Sequence, residues 1–303
     1  MERQHLRFGR VSVYLGEKNG KYPDGNQVVV TGTDTKAVFD TPLSANGMGA
    51  QLDGTDIVVL GHVHEDHTCA LHMLPDAQVF APEADVAALH SMEGMFDHYG
   101  YAPRTLEAMG PHIVNDFHFQ PRPDAFDYAD GQAWDLGGCS VRAIHMPGHT
   151  RGHSVLLVEP EGVAFIGDID LTGFGPYYGD ACSNLREFRD TLERIEELDA
   201  KVWVTFHHKG VITERETFVQ LLHAFKEKIE RRDEAILAAL DEPGRTLEEL
   251  VARRFLYPLG YEGIFVEDAE RKTIREHLEH LIRGGRAALV DGRYVAADAA
   301  RRL

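Results

Sequence analysis

Cysteine is scarce in this chain: three among 303 residues, at positions 69, 139 and 182. An odd, scattered set excludes a disulfide framework and a cysteine-rich zinc site. Cys69, two residues after His67, reads as a small buried residue. Long apolar runs are also missing. No stretch approaches the ~18 apolar residues of a membrane span, and the opening residues Met1 to Arg7 have no apolar core of the signal-peptide kind. The expectation is a cytoplasmic protein with no membrane partner. The third shortage is of positive charge, with 31 Lys and Arg against 49 Asp and Glu and a net charge of −18. It is concentrated in residues 1–228, which hold 18 basic and 34 acidic side chains. Phosphate-rich polymers are attracted to basic surface, so nucleic acid is not an expected partner.

What the chain does contain alternates between strand and helix. Strand-like runs are Val11 to Leu15, Gln27 to Thr31, Lys36 to Asp40, Asp56 to Leu60 and Ala77 to Pro82. A short helix is expected over about Glu83 to His90. Further strands are expected at Ser140 to His145, Ser154 to Val158, Gly162 to Ile166 and Lys201 to Phe206, rich in Val, Ile and Phe with turn residues between. Leu185, Phe188, Leu192, Ile195 and Leu198 have helical spacing, and a long helix begins near Glu214. This alternation predicts a layered α/β architecture. Residues 91–130 break the rhythm with aromatics, Met, Pro and His. They read either as a lid beside a site or as a helical insertion whose aromatics pack inward.

Residues 229–303 differ. A helix ends at Leu240 before Pro243-Gly244, and Thr246-Leu247-Glu248-Glu249 forms a capping box that opens another. Glu270 to Ile282 gives a third helix, and Ala287 to Val295 a hairpin with an Asp-Gly turn. Three helices and a hairpin are the layout of a winged helix. The third helix carries Arg271, Lys272 and Arg275 but also Glu270, Glu276 and Glu279. It lacks the net basic face of a DNA reader, so packing on the first domain, or a homodimer contact, is the expected role.

The chemistry lies where strands become loops. Gly61-His62-Val63-His64-Glu65-Asp66-His67 places four metal-capable side chains, His62, His64, Asp66 and His67, at the end of one strand. In extended backbone His62 and His64 point the same way, while Asp66 and His67 can approach from a second direction once the chain turns. Pro147-Gly148-His149-Thr150-Arg151-Gly152-His153, Gly167-Asp168 and His207 follow three later strands.

In that order these segments resemble the motifs of the metallo-β-lactamase superfamily, over about residues 8–228. The resemblance implies an α/β fold, a four-layer αβ/βα sandwich with a metal site at one edge, followed by the small winged-helix domain. It implies that His62, His64 and His149 bind one divalent metal, that Asp66, His67 and His207 bind a second, and that Asp168 bridges them. His207 and His208 compete for the last position; the family's interval from Asp199 favours His207. His153 and Asp40 are expected behind the ligands as supports. Imidazoles with carboxylates suit zinc, with iron or manganese as alternatives. Two such ions can share a water, bring its pKa near neutrality and so hydrolyse an ester-like bond, with Asp66 orienting the nucleophile.

The superfamily hosts many reactions, so the substrate must be argued separately. The Pro-Gly-His-Thr-x-Gly-His segment is similar to that of glyoxalase II-like hydrolases. The loop Leu171 to Gly179 offers Phe174, Tyr177 and Tyr178 as walls for an apolar group. The reading is hydrolysis of a small-molecule acyl substrate, a thioester. The alternatives are a ribonuclease or phosphodiesterase on the same metals, and an iron-dependent persulfide-type oxygenase.

Overall fold

The computed structural model describes residues 4–240 and 243–297. The first three residues of the amino-terminal stretch discussed above, residues 241–242, and the end of the expected second domain (298–303) lie outside it. Seven strands form the first sheet in sequence order: β1 (His5–Phe8), β2 (Val11–Tyr14), β3 (Gln27–Thr31), β4 (Lys36–Phe39), β5 (Ile57–Val59), β6 (Gln78–Pro82) and β7 (Phe126–Tyr128). β1 to β4 are antiparallel, and β4 to β7 run parallel. The second sheet takes β8 (Ala133–Asp135), β9 (Ser140–His145), β10 (Ser154–Glu159), β11 (Val163–Phe165), β12 (Val202–Val204) and β13 (Val211–Ile212), side by side in that order. β11 and β12 are its parallel pair.

The alternation of side chains along each strand builds the layers. Val28 and Val30 join Phe39, Val59, Leu156, Val158 and Val204 in the core between the sheets. Their neighbours Val29, Val38 and Val58 point to the opposite face. There they meet α1 (Gly49–Leu52), α2 (Val86–His90), α3 (Met92–Tyr99) and α4 (Pro103–Asn115) through Leu52, Leu89, Met95 and Met109. On the outer face of the second sheet, Val155, Leu157 and Trp203 pack against α5 (Leu185–Arg194) and α6 (Arg215–Ala238) through Phe188, Leu192, Phe218 and Phe225. Helix, sheet, sheet, helix is the four-layer sandwich expected from the resemblance, and it follows from period-2 strands buried on both faces.

Residues 91–130 form a largely helical insertion. Met95, Tyr99, Tyr101, Met109, Ile113 and Phe119 are all buried in the outer core, and the segment returns to the sheet as β7. α3 begins at Ser91, whose side chain caps Gly94 N, and stops at left-handed Gly100 (φ 60).

Beyond the sandwich come α7 (Leu247–Val251), α8 (Val266–Arg283), β14 (Ala287–Val290) and β15 (Arg293–Ala296). The Thr246–Glu249 capping box is present in both directions. β14 and β15 turn through Asp291 (φ 48) and Gly292 (φ 77), the positive-φ pair of a tight hairpin. Ile236, Leu240, Leu250, Ile274, Leu278 and Leu281 form a separate small core. α6 is common to both cores: Phe218 to Ile229 face the second sheet and Ile236 faces α8. It runs unbroken through residue 228.

Candidate metal centre

The ligand-bearing segments follow the ends of β5, β9, β11 and β12, which all open on one edge of the sandwich. After β5 the chain turns through a short 3-10 segment, Glu65–His67, so His62 and His64 approach from one side and Asp66 and His67 from another. All four are buried. His62 Nε2 and His149 Nε2 each lie 3.2 Å from His64 Nδ1, three ring nitrogens converging on one point. His207 Nε2 lies 2.9 Å from Asp66 Oδ2 and 3.8 Å from Asp168 Oδ2. His67 Nε2 faces Asp168 Oδ1 at 3.1 Å, and His149 Nε2 faces Asp168 Oδ2 at 3.3 Å. Asp168 thus stands between the two groups. The three combinations His62/His64/His149, Asp66/His67/His207 and His62/His67/Asp168 each have donor atoms close enough to share one cation.

The far side of each ring decides which nitrogen is free. His67 Nδ1 donates to Asp40 Oδ2 at 2.7 Å. His149 Nδ1 donates to the Tyr177 carbonyl at 3.0 Å. His207 Nδ1 donates to the carbonyls of Asp24 and Gly20 at 2.7 and 3.1 Å. His64 Nε2 faces Asp180 Oδ2 at 3.2 Å. Three of the five imidazoles, His67, His149 and His207, are therefore held from behind at Nδ1 with Nε2 turned inward, and His64 turns Nδ1 inward with Nε2 beside Asp180, the orientation a metal ligand requires. Buried His67 Nε2 and Asp168 Oδ1 face each other at 3.1 Å without completing a hydrogen bond, and neither makes one elsewhere, a costly arrangement unless a cation takes them. The donor set fits divalent metals. His62 Nδ1 is the exception, buried and unbonded.

Electrostatics divide the centre in two. Burial pushes His62 well below the usual imidazole range and His149 down to about 4, so both are neutral. At His207 burial also lowers the pKa, but the carboxylates of Asp168, Asp170 and Asp66 outweigh it and carry the ring up to about 10. His67 is raised well above its ordinary value for the same reason, by Asp168, Asp66 and Asp40. The carboxylate half thus demands positive charge, and the imidazole half offers neutral donors.

Backbone geometry is set to hold these groups. Asp40 has φ 48, a left-handed conformation disfavoured for a side-chain-bearing residue. It turns the carboxylate so that one oxygen accepts from Gly61 N (2.8 Å) and the other from His67. The Gln27 amide donates to the Asp40 carbonyl at 3.0 Å and keeps it there. Gly148 (φ 128) passes so close to α5 that a Cβ would meet Phe188 backbone at 2.3 Å. Asp85 accepts from Thr150 Oγ1 (2.6 Å) and Gly152 N (2.9 Å), bracing the loop that carries His149.

The other residues singled out in the sequence lie as follows. His208 is turned aside in a left-handed conformation (φ 62), and His207 alone of the two meets Asp66. His153 is fully buried behind the centre; its Nε2 accepts from Asp168 N at 3.2 Å and its Nδ1 donates to the Met146 carbonyl. Cys69 points its thiol at the Glu65 and Asp66 carbonyls, away from the centre. Phe174 is exposed, with its ring 5.5 Å from Tyr257. The Tyr177 hydroxyl bonds Tyr101 and Asp180, each at 2.9 Å. Tyr178 is fully buried, bonded to His277 (2.7 Å) and Arg232 (3.0 Å). Tyr178 is therefore core and not the wall of an opening, a correction to its expected role.

Sequence reasoning passed over Asp180, Asp85, Asp170 and Glu65. Glu65 is buried and accepts from the Tyr99 hydroxyl. Asp170 accepts from His207 N at 3.3 Å, and burial with Asp168 nearby raises its carboxyl to about 7. Its i+2 spacing from Asp168 was a usable signal; Asp180 and Asp85 had none. His98 and Cys182 also lie buried beside His64.

Known proteins share these features. The family described as the metallo-beta-lactamase superfamily matches residues 22–208, and the chain belongs to it. Among curated relatives, an atrochrysone carboxyl ACP thioesterase of Aspergillus fumigatus is 28% identical over 244 residues, covering 75% of this chain and 71% of that one. Another, of Pseudocercospora fijiensis, is 26% identical over 62% of this chain and 54% of its own length. The chain spans about half of that relative. Among solved structures, a metallo-beta-lactamase family protein of Thermus thermophilus superposes with a TM-score of 0.69 at 24% identity, covering 90% and 93% of the two chains. A beta-lactamase domain protein of Burkholderia ambifaria gives 0.69 at 17%, covering 97% and 94%. At those identities the likeness speaks for the fold.

Proposed function

We propose that this protein is a metal-dependent hydrolase of a small-molecule thioester, built on a binuclear site. The observation that carries the reading is the outward anchoring of His67, His149 and His207, with His64 Nε2 beside Asp180, which turns the inner ring nitrogens toward two adjacent points. His62, His64 and His149 would hold one divalent ion, and Asp66, His67 and His207 the other, with Asp168 between them. The ions, zinc first among the candidates, supply Lewis acidity and an activated water.

The chain's own residues orient and exclude. Asp40, the Tyr177 carbonyl and the Asp24 carbonyl fix ring tautomers, so no ligand has to rearrange. Asp66 and Asp168 present oxygens that can accept a proton-bearing nucleophile's hydrogen bond and orient it. Tyr22, 5.9 Å from the His207 ring, and Phe117, 6.4 Å from Tyr22, stand on the outer side. They offer apolar surface to an acyl group. A thioester is chosen because the curated relatives named above are thioesterases. Residues 229–303 are taken as a winged-helix-like unit that braces the loop 173–178.

The test is a panel. Protein reconstituted with zinc, iron or manganese is offered thioesters, lactones and bis(p-nitrophenyl) phosphate, with oxygen uptake followed in parallel. Thioester hydrolysis that a chelator abolishes and added metal restores is the expected result. Turnover confined to the phosphodiester, or oxygen consumption with iron alone, would overturn it. Asp66→Ala and His149→Ala should each lose hydrolysis by orders of magnitude with unchanged circular dichroism; an active, metal-free double variant would sink the reading.

A further inference from the structure

In a chain short of positive charge, one cavity collects it. A pocket of ≈ 440 Å³ is lined by Lys228, Arg231, Arg232 and Arg254, with Phe174 and Phe255 among its apolar walls and no acidic residue among its lining. Arg231 is spoken for by Glu227 at 3.0 Å. Among the described residues no carboxylate lies within ion-pair distance of Lys228, Arg232 or Arg254. Arg232 is buried and donates to the carbonyls of Phe174 (2.7 Å) and Pro176, which orient its guanidinium without neutralising it. Arg254 has a left-handed backbone (φ 61), and its Nη1 is buried without a hydrogen-bond partner. A buried guanidinium nitrogen without a partner, as at Arg254, is costly. Guanidinium groups are also the fork-shaped donors that suit phosphate oxygens.

The pocket's position ties it to the metal centre. Phe174 lines it, and three residues later the Tyr177 carbonyl holds His149. The Phe174 ring meets Tyr257, which stacks on Tyr261 at 5.1 Å. An aromatic rim of Phe174, Tyr257 and Tyr261 thus adjoins the basic pocket, and Phe174 belongs to the loop whose Tyr177 carbonyl holds His149.

We propose that this pocket binds the phosphate ester of a pantetheine arm, so that the thiol carrier of the substrate is a phosphopantetheine. The arm's amides and thioester would lie along the rim, and its dimethyl-bearing carbon against Phe174 or Phe255. The identity of the substrate rests on the thioester reading; the phosphate site itself does not. Coenzyme A and an acyl carrier protein both carry this group.

Calorimetry on the full chain compares 4′-phosphopantetheine with pantetheine. The expected result is binding about 10- to 100-fold tighter for the phosphorylated form, the size of a charge-assisted contact. That preference should shrink with added salt and vanish in the Lys228→Ala/Arg254→Ala double variant. In kinetics the double variant should raise KM for an acyl-coenzyme A about tenfold or more, with kcat held. The same acyl group on N-acetylcysteamine, which has no phosphate, should be hydrolysed at unchanged kcat/KM, which also shows that the variant folds. Equal binding of the two pantetheines by the native chain, or an equal loss on both thioesters, overturns the proposal. A phosphate preference without hydrolysis of any thioester supports the pocket and defeats the reaction instead. The acyl group on coenzyme A compared with an acyl carrier protein, by kcat/KM, tells the two sources apart.

Discussion

Asp40 is a small case of how side chains are made to act at a distance. Its left-handed backbone is costly, about 1–3 kcal/mol for such outliers, and persists because Gln27, Gly61 and His67 all bind it. Removing its carboxylate frees the outer nitrogen of His67 while leaving every ligand in place. Asp40→Ala is expected to weaken metal retention about 10- to 100-fold, measured by chelator competition; Asp180→Ala should do the same to the His64 side. The inner ligands were legible in sequence because they crowd into short motifs at strand ends. Most of the outer acceptors were not. Three are backbone carbonyls, of Tyr177, Asp24 and Gly20, which any residue supplies, and Asp180 lies 116 positions from the histidine it faces. Asp40 could be read because it also ends a strand.

Among elements, the loop between α7 and α8 depends on one carboxylate. Glu270, fully buried in α8, accepts the backbone N–H groups of Phe255, Leu256 and Tyr257 at 2.7–2.9 Å. Glu270→Ala leaves three donors without a partner, and a loss on the order of 3 kcal/mol is expected in denaturant unfolding. Phe188 on α5 tests the sandwich in the same way. It is fully buried against the second sheet and beside Gly148, and Phe188→Ala should cost about 3–5 kcal/mol. The strands legible in sequence were those with Val, Ile and Phe on both faces. β1, β7, β8 and β13 were missed; each has four residues or fewer, and β1, β7 and β8 sit at sheet edges, where of their side chains only Tyr128 is buried. The helix α4 was hidden by Pro103, which starts it, and Pro111 inside it. Polar pattern alone could not show that Tyr99, Tyr101 and Phe119 turn inward while Phe126 stays exposed.

For the whole molecule, the join between its two cores is polar and buried. His277 on α8 donates from Nδ1 to Asp233 Oδ1 at 2.6 Å and accepts the Tyr178 hydroxyl at Nε2, so its neutral form satisfies both nitrogens. Burial lowers its pKa below the ordinary 6.5. The unfolded chain therefore takes up a proton first as pH falls. The stability that His277 contributes is complete above pH 6.5 and is lost progressively below it. Urea midpoints should drop between pH 7 and pH 5, and His277→Gln should flatten that slope; an equal slope in the variant would reject this assignment.

α6 carries the join, and a helix transmits angle as faithfully as distance. Each residue advances it by about 100°. One extra alanine between Glu230 and Arg231 would leave the sandwich and its ligands untouched. It would, however, swing Arg232 and Asp233 off the face that meets Pro176 and Arg189. The carbonyl behind His149 would lose its footing, though nothing within the metal motifs had changed. Seven inserted residues, close to two full turns, would restore the phase but displace everything beyond by about 10 Å. The length of this helix, counted in residues and not in ångströms, is thus a term in the geometry of the metal centre.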